Sequence, residues 1–282
     1  MPPHPMRSKL FVPGERDDLY RKALATAADQ VALDLEDAVP AARKPRAREC
    51  VRAFLQGAVA REQASRLIVR ANAVGSADFR DDLAVFTGGA PVAVALPKVE
   101  SAADVQAALA ALDHVRGDDV TRLLCTIETP RGLRQAHEIA GASPRVAGLQ
   151  LGLVDLFAQA GIDRGDAAAV HAAMYALAMA AAEHGVPVFD SAYPPLHDEA
   201  GFRAEALRAR ALGYAGKSCI HPRQVPWANE VFMPGAEELA RARRIVDAAA
   251  HHGGAVFELD GAMVDKPIVE RAQRLLARGG TA

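Results

Sequence analysis

What most constrains this chain is a rhythm: eight times over, a short apolar run gives way to a longer stretch of helical periodicity. Strand-like runs fall at 8–14, 30–37, 66–72, 91–100, 122–129, 146–156, 186–193 and 215–222. Helix-like stretches follow them at 17–28, 44–56, 79–86, 101–112, 132–140, 168–184, 199–212 and 225–232, the fourth opening on a capping-box pattern of Ser101 with Asp104. Alternation of this kind marks parallel β/α units. Eight units in about 230 residues suit a closed barrel, whereas a doubly wound open sheet commonly stops at five or six strands. No Gly-x-Gly-x-x-Gly follows the first strand, which argues against a dinucleotide fold. The expected fold class is α/β, a (β/α)8 TIM barrel over residues 1–233. A helix at 237–251, an extended hairpin at 255–264 and a last helix at 267–278 exceed what a barrel requires, so residues 234–282 read as a helix-hairpin-helix extension.

Charge narrows the partners. The chain has 282 residues, half of them apolar, and 33 Lys plus Arg against 35 Asp plus Glu give a net charge of −2. Without a dominant field, nucleic acids and other polyanions are poor partners. Cys50, Cys125 and Cys219 are odd in number and far apart, and two lie in strand-like runs, as packed reduced thiols do. The first ten residues lack the apolar stretch of roughly 7 to 15 residues that a secretory signal carries. The small-apolar run at 172–182 falls short of the roughly 18 residues of a membrane span. A cytoplasmic protein that meets no membrane is expected.

In a barrel, alternate strand residues face inward and catalytic groups gather at the C-terminal strand ends, so a charge closing an apolar strand is informative. Nearly every strand here has one. Asp34 and Glu36 share one face of the second strand; Arg70 ends the third, Lys98 and Glu100 the fourth, Glu128 the fifth, Asp155 the sixth and Asp190 the seventh, while Lys217 and His221 frame the eighth. The expectation is that they fill one mouth. Glu128 and Asp155 stand one β/α repeat apart, on neighbouring strands. Two arrangements relieve their repulsion: a hard cation between them, for which an all-oxygen set suits Mg²⁺, or neutralisation by Lys98 and Arg70. Arg70 offers a planar fork for a substrate carboxylate, which Glu36 or Asp37 could orient, although an internal bridge satisfies it as well. Only six lysines occur, and Lys98 or Lys217 could instead be a Schiff-base nucleophile.

Ordered motifs run through the chain: Lys9-Leu10-Phe11-Val12-Pro13-Gly14 with Arg16, Leu33-Asp34-Leu35-Glu36-Asp37-Ala38-Val39, Val69-Arg70-Ala71-Asn72 and Leu96-Pro97-Lys98-Val99-Glu100-Ser101. Further on come Ile127-Glu128-Thr129 with Gly132, Leu151-Gly152 with Asp155-Leu156, Gly216-Lys217 with Cys219-Ile220-His221-Pro222 and Gln224, and Asp260-Gly261 with Met263-Val264-Asp265. In these the sequence resembles the citrate lyase β-subunit-like family, within the HpcH/HpaI aldolase superfamily, over almost its whole length.

The resemblance implies a Mg²⁺-dependent lyase, Mn²⁺ being an alternative ion, that splits a β-hydroxyacyl-CoA such as a malyl-, citramalyl- or citryl-type thioester into acetyl-CoA and a 2-oxoacid, or joins them. It implies that Glu128 and Asp155 hold the metal, that Asp265 is the acid/base, and that Arg70 binds the 2-oxoacid carboxylate, with Glu36, Asp37 and Lys98 beside it in the catalytic set. Glu128 and Gly152 would touch substrate, Ile220 and His221 would wall the CoA side, and Arg16, with Phe11 behind it, would meet the nucleotide phosphates. The C-terminal extension would be a lid over a neighbouring subunit's barrel, in a homotrimer or hexamer. Three positions depart from the family pattern: Leu153-Val154 replace Thr-Glu, Ala262 replaces a common Lys, and no Arg occurs at 168–173. These bear on the choice of substrate and the grip on CoA. A CoA-independent pyruvate aldolase, or a citrate lyase β-type subunit serving an acyl carrier protein, would use the same residues.

Overall fold

The computed structural model describes residues 6–90, 92–252 and 256–279. Eight parallel strands close on themselves in chain order: β1 (Ser8–Pro13), β2 (Gln30–Asp34), β3 (Leu67–Arg70), β4 (Ala93–Leu96), β5 (Leu123–Ile127), β6 (Val146–Leu151), β7 (Val188–Asp190) and β8 (Gly216–Cys219). The register Lys9 to Ser218 joins the last strand to the first. Outside the barrel lie α1 (Asp17–Leu24), α2 (Lys44–Leu55), α3 (Ala58–Glu62), α4 (Ala77–Asp82), α5 (Ala102–Arg116), α6 (Pro130–Arg134), α7 (Ala136–Gly141), α8 (Leu153–Ala160), α9 (Ala167–Glu183), α10 (Glu199–Ala211) and α11 (Gln224–Phe232).

The two faces of each strand explain the closure. Outward residues such as Val31, Leu33, Val69, Val94 and Leu149 join one large core with the helices, each burial contributing on the order of 2 kcal/mol. Inward apolar residues are fewer: Ala32, Ile68, Ala95, Leu124 and Phe189, with Phe11 packed against them. Further toward the C-terminal ends, the inward positions turn polar at Asp34, Arg70 and Glu128, and this change positions the site. Helices start where side chains cap them: Ser76 accepts from the Phe79 amide, Thr129 from Gly132 and Asp166 from Ala168 and Ala169. Ser101 accepts from the Asp104 amide as expected, but Asp104 reaches back to the Glu100 amide instead of completing the box on Ser101.

All eight strands are shorter than the runs expected for them, and the differences at the sixth and fourth bear on the site. The sixth was expected to reach 156; it ends at Leu151, and Leu153 to Asp155 form the first turn of α8. The expected fourth strand begins with Pro91, which lies outside the described residues, and its strand pairing ends at Leu96.

Beyond the barrel, α12 (Ala236–His251), β9 (Phe257–Leu259), β10 (Ala262–Val264) and α13 (Lys266–Gly279) follow the expected helix-hairpin-helix order; the expected start at Ala255 lies outside the described residues. Asp260 and Gly261, both at positive φ (54° and 75°), make the two-residue turn that a twisted hairpin favours. Ala242, Ile245, Phe257, Val264 and Ala272 form a core of the tail's own, and Glu238 ties α12 to Arg210 at the end of α10.

Candidate active site

Strand register places Arg70 beside Asp34, and their side chains meet in a side-on fork: Nε to Oδ1 at 2.7 Å and Nη2 to Oδ2 at 2.5 Å. Arg70 Nη1 lies 3.0 Å from Glu36 Oε2 and 3.4 Å from Asp37 Oδ2. The sequence pointed to Glu36 or Asp37 as the orienting partner; the bidentate one is Asp34. Burial opposes the guanidinium charge, but Asp34, Glu36 and Asp37 outweigh it and raise its pKa. A guanidinium has five N–H donors, and three are used here, leaving one hydrogen on each terminal nitrogen.

Lys98 crosses the mouth to Glu36, Nζ to Oε1 at 2.5 Å. Its backbone sits at φ 52°, a left-handed conformation that costs a non-glycine residue about 1 kcal/mol or more. That turn aims the Lys98 amide at Glu128 Oε1, 2.8 Å away. Burial pushes the Glu36 carboxyl up, against Arg70 and Lys98, and its buried Oε2 has no hydrogen-bond partner because the Arg70 contact is an ion pair of poor angle.

Glu128 is buried, and burial first, then the charges of Glu36 and Asp155, push its pKa up to about 7 against the pull of Lys98. It stands against Gly152: a Cβ there would meet the Glu128 side chain, 2.5 Å from Oε2, so only glycine leaves the carboxylate its place. Asp155 approaches from the first turn of α8 rather than from a strand end, and it is exposed. Among the described residues no group of three or more His, Cys, Asp or Glu side chains could hold a metal by itself. Two carboxylates with open positions nevertheless fit Mg²⁺, which keeps waters and takes substrate oxygens. The buried, raised carboxyl of Glu128, seated against Gly152, is what such an ion would relieve.

Several expected mouth residues stand elsewhere. Asp190 and Lys217 face outward, where Lys217 Nζ meets Asp190 Oδ2 at 2.6 Å and Glu205 Oε1 of α10 at 2.5 Å. Burial lowers the Lys217 pKa, but the two carboxylates outweigh it and raise it, so this lysine is a sealed ion-pair partner and no nucleophile. Lys98 is likewise raised, by Glu36, Asp37 and Glu128 against burial. Glu100 turns away to Arg131, 3.9 Å distant. Phe11 does not stand behind Arg16; its ring lies 4.9 Å from the Arg70 guanidinium carbon, and Arg16 is exposed, paired with Asp18 at 2.8 Å. Ile220 is exposed and His221 half-exposed on the loop after β8, where Gln224 accepts from the Ile220 amide. Asp265 Oδ1 accepts from the Ile268 amide at 3.3 Å, capping α13. Gln150 carries no role in the sequence reading, yet it accepts a hydrogen bond from Lys9 inside the barrel; the signal was a lone amide at an inward position between Gly148 and Gly152.

Comparison with known proteins fits this geometry. The profile of the HpcH/HpaI aldolase/citrate lyase family matches residues 7–222. The chain is 37% identical to a (3S)-malyl-CoA thioesterase of Cereibacter sphaeroides, over 98% of this chain and 95% of that one. It is also 37% identical to the citrate lyase subunit beta of Escherichia coli, over 96% and 92%. Among solved structures, protein CitE from Mycobacterium tuberculosis in complex with magnesium, acetoacetate and coenzyme A superposes with a TM-score of 0.81 at 35% identity, covering 99% of both chains.

Proposed function

The chain belongs to the HpcH/HpaI aldolase/citrate lyase family, and from that premise we propose a Mg²⁺-dependent carbon–carbon lyase for β-hydroxyacyl-CoA thioesters of the malyl, citramalyl or citryl type. The observation that carries this reading is the pairing, in one mouth, of a raised buried carboxyl at Glu128 with a three-carboxylate clamp on Arg70. Glu128 and Asp155 would hold Mg²⁺, or Mn²⁺ in the same all-oxygen set, and the bound ion would supply a Lewis acid for substrate oxygens. Arg70 receives the 2-oxoacid carboxylate on the two hydrogens its clamp leaves over, where negative charge is also stabilised as the bond breaks. Asp34, Glu36 and Asp37 fix its plane, and Lys98 holds Glu36 and, through its amide, Glu128. Gly152 keeps the Glu128 carboxylate in place.

In the cleavage direction Asp265 takes the proton of the substrate hydroxyl, the carbon–carbon bond breaks to a 2-oxoacid and a thioester enolate, and Asp265 returns that proton to the enolate carbon to give acetyl-CoA. The reverse reaction begins with Asp265 taking an acetyl-CoA α-proton. We assign that carboxylate to a neighbouring copy's tail, residues 234–282 acting as a lid in a homotrimer or hexamer. In support, Asp265 caps a helix within the tail's own small core, and the hairpin carries exposed Val256 and Met263 for a neighbour to cover. Ile220, His221 and Arg16 form the CoA side. Among the described residues no helix is long and apolar enough to cross a membrane, and three buried free thiols suit a reducing compartment, which supports a place in the cytoplasm.

The test is incubation with Mg²⁺ and a panel of malyl-, citramalyl- and citryl-CoA, with acetyl-CoA, 2-oxoacid and free CoA measured separately. Equimolar acetyl-CoA and 2-oxoacid are expected from at least one thioester. Free CoA without 2-oxoacid would identify a thioesterase and overturn the lyase reading.

A further inference from the structure

Beneath the mouth lies a charged side chain to which the proposed reaction gives no task. Lys9 stands on β1 two residues before Phe11, on the same inward face, and is 2% exposed. Its Nζ donates to Gln150 Oε1 at 2.6 Å, and Gln150 Nε2 donates in turn to the Asp190 carbonyl at 2.5 Å, so the amide is fixed. The ammonium lies 5.0 Å from the centroid of the Phe11 ring, and the Arg70 guanidinium carbon lies 4.9 Å from the same centroid. Arg70 from β3, Asp34 from β2, Glu128 just after β5 and Cys219 from β8 act on Lys9 electrostatically, and among the described residues no salt bridge joins it to a carboxylate. Burial above all, then Arg70, pushes its pKa down to about 7. An apolar side chain would fill this space without the cost of desolvating an amine. A cation kept at that cost, against the ring on which the carboxylate-binding arginine rests, points to a task at the site above.

We propose that Lys9, anchored by Gln150, is a positioning residue that holds the Phe11 ring and through it the plane of Arg70, and so sets the affinity for the 2-oxoacid carboxylate. The attraction is that of a cation for the ring face, stronger where water is excluded. Lys9 touches no substrate in this arrangement; Arg70 does, and the inference rests on that reading of Arg70.

The test measures binding of pyruvate and oxaloacetate with Mg²⁺ by calorimetry, together with kcat and KM, for the wild type, Lys9→Met, Phe11→Leu and the double variant. Lys9→Met should raise Kd and KM about tenfold with kcat within about twofold. In the Phe11→Leu background the same substitution should change Kd less than about twofold, because the ring that transmits the effect is gone. A wild-type Kd in Lys9→Met, or an undiminished effect without the ring, overturns the proposal. If Lys9→Met does not fold, an unchanged Kd in Phe11→Leu overturns it as well. Arg70→Lys separates the two levels: it should lose 2-oxoacid binding, and if it binds normally the reading of Arg70 fails and this inference with it.

Discussion

Glu128→Gln should make the metal-free protein more stable while removing its activity. The structure gives the size of the effect. Burial and two like charges raise the carboxyl from 4.5 to about 7, which at about 1.4 kcal/mol per pH unit withdraws about 3 kcal/mol of stability once the group is ionised. Below pH 4.5 both the folded and the unfolded chain hold the proton, and Glu128 exacts nothing. Between 4.5 and about 7 the unfolded chain releases the proton while the folded one keeps it, so stability falls as pH rises; above 7 the full penalty stands. Gln is neutral throughout and keeps an oxygen for the Lys98 amide, now 2.8 Å from Oε1. Thermal melts in EDTA at pH 4.5 and pH 8 read the difference. At pH 8 the variant should melt about 6–12 °C higher, given about 2–4 °C per kcal/mol for a domain near this size, and at pH 4.5 the two should converge. Mg²⁺ should then raise the melting temperature of the wild type and leave the variant unmoved. Parallel loss of stability from pH 4.5 to 8 in both proteins, or a less stable variant at pH 8, would refute the argument that Glu128 is a strained, uncompensated carboxyl.

Gly152→Ala puts a Cβ 2.5 Å from Glu128 Oε2, and displacing the carboxylate should weaken Mg²⁺ binding about tenfold or more by titration calorimetry with the far-ultraviolet spectrum unchanged. Lys217→Met leaves Asp190 buried without its cation, so urea denaturation should show a loss of about 3–5 kcal/mol, while a mouth lysine would have cost activity in a fold of normal stability. If the lid acts in trans, inactive Asp265→Asn and Glu128→Ala chains should regain partial turnover when co-assembled; demonstrably mixed oligomers without activity would place Asp265 in cis or outside the chemistry.

The barrel was legible because each change from strand to helix also changes the period of the apolar pattern, and the eight inferred strands all appear in place. Errors arose where periodicity is silent. The run from Val146 to Leu156 is nearly unbroken apolar sequence, and nothing in it marks that Gly152 closes the strand and Asp155 begins a helix turn. Lys217 and Asp190 read as mouth charges because a charge on an apolar strand shows no face until register is known; their pairing with each other and with Glu205 puts them in the helix layer. Asp34 was visible as sharing a face with Glu36, but its fork to Arg70 depends on the alignment of β2 with β3. Phe11 lies under Arg70 by inward parity across three strands, which no spacing within one segment reveals.

Glu128 and Asp155 are proposed to hold a divalent cation required for carbon–carbon cleavage. The most direct test is turnover of the preferred acyl-CoA by EDTA-stripped protein, with and without added Mg²⁺, in the wild type, Glu128→Ala and Asp155→Ala, each followed by borohydride treatment with substrate present. Activity should be restored by Mg²⁺ in the wild type alone, with both variants folded but inactive and no reduced lysine adduct. Full activity in excess EDTA, with borohydride trapping substrate on a lysine, would contradict that assignment.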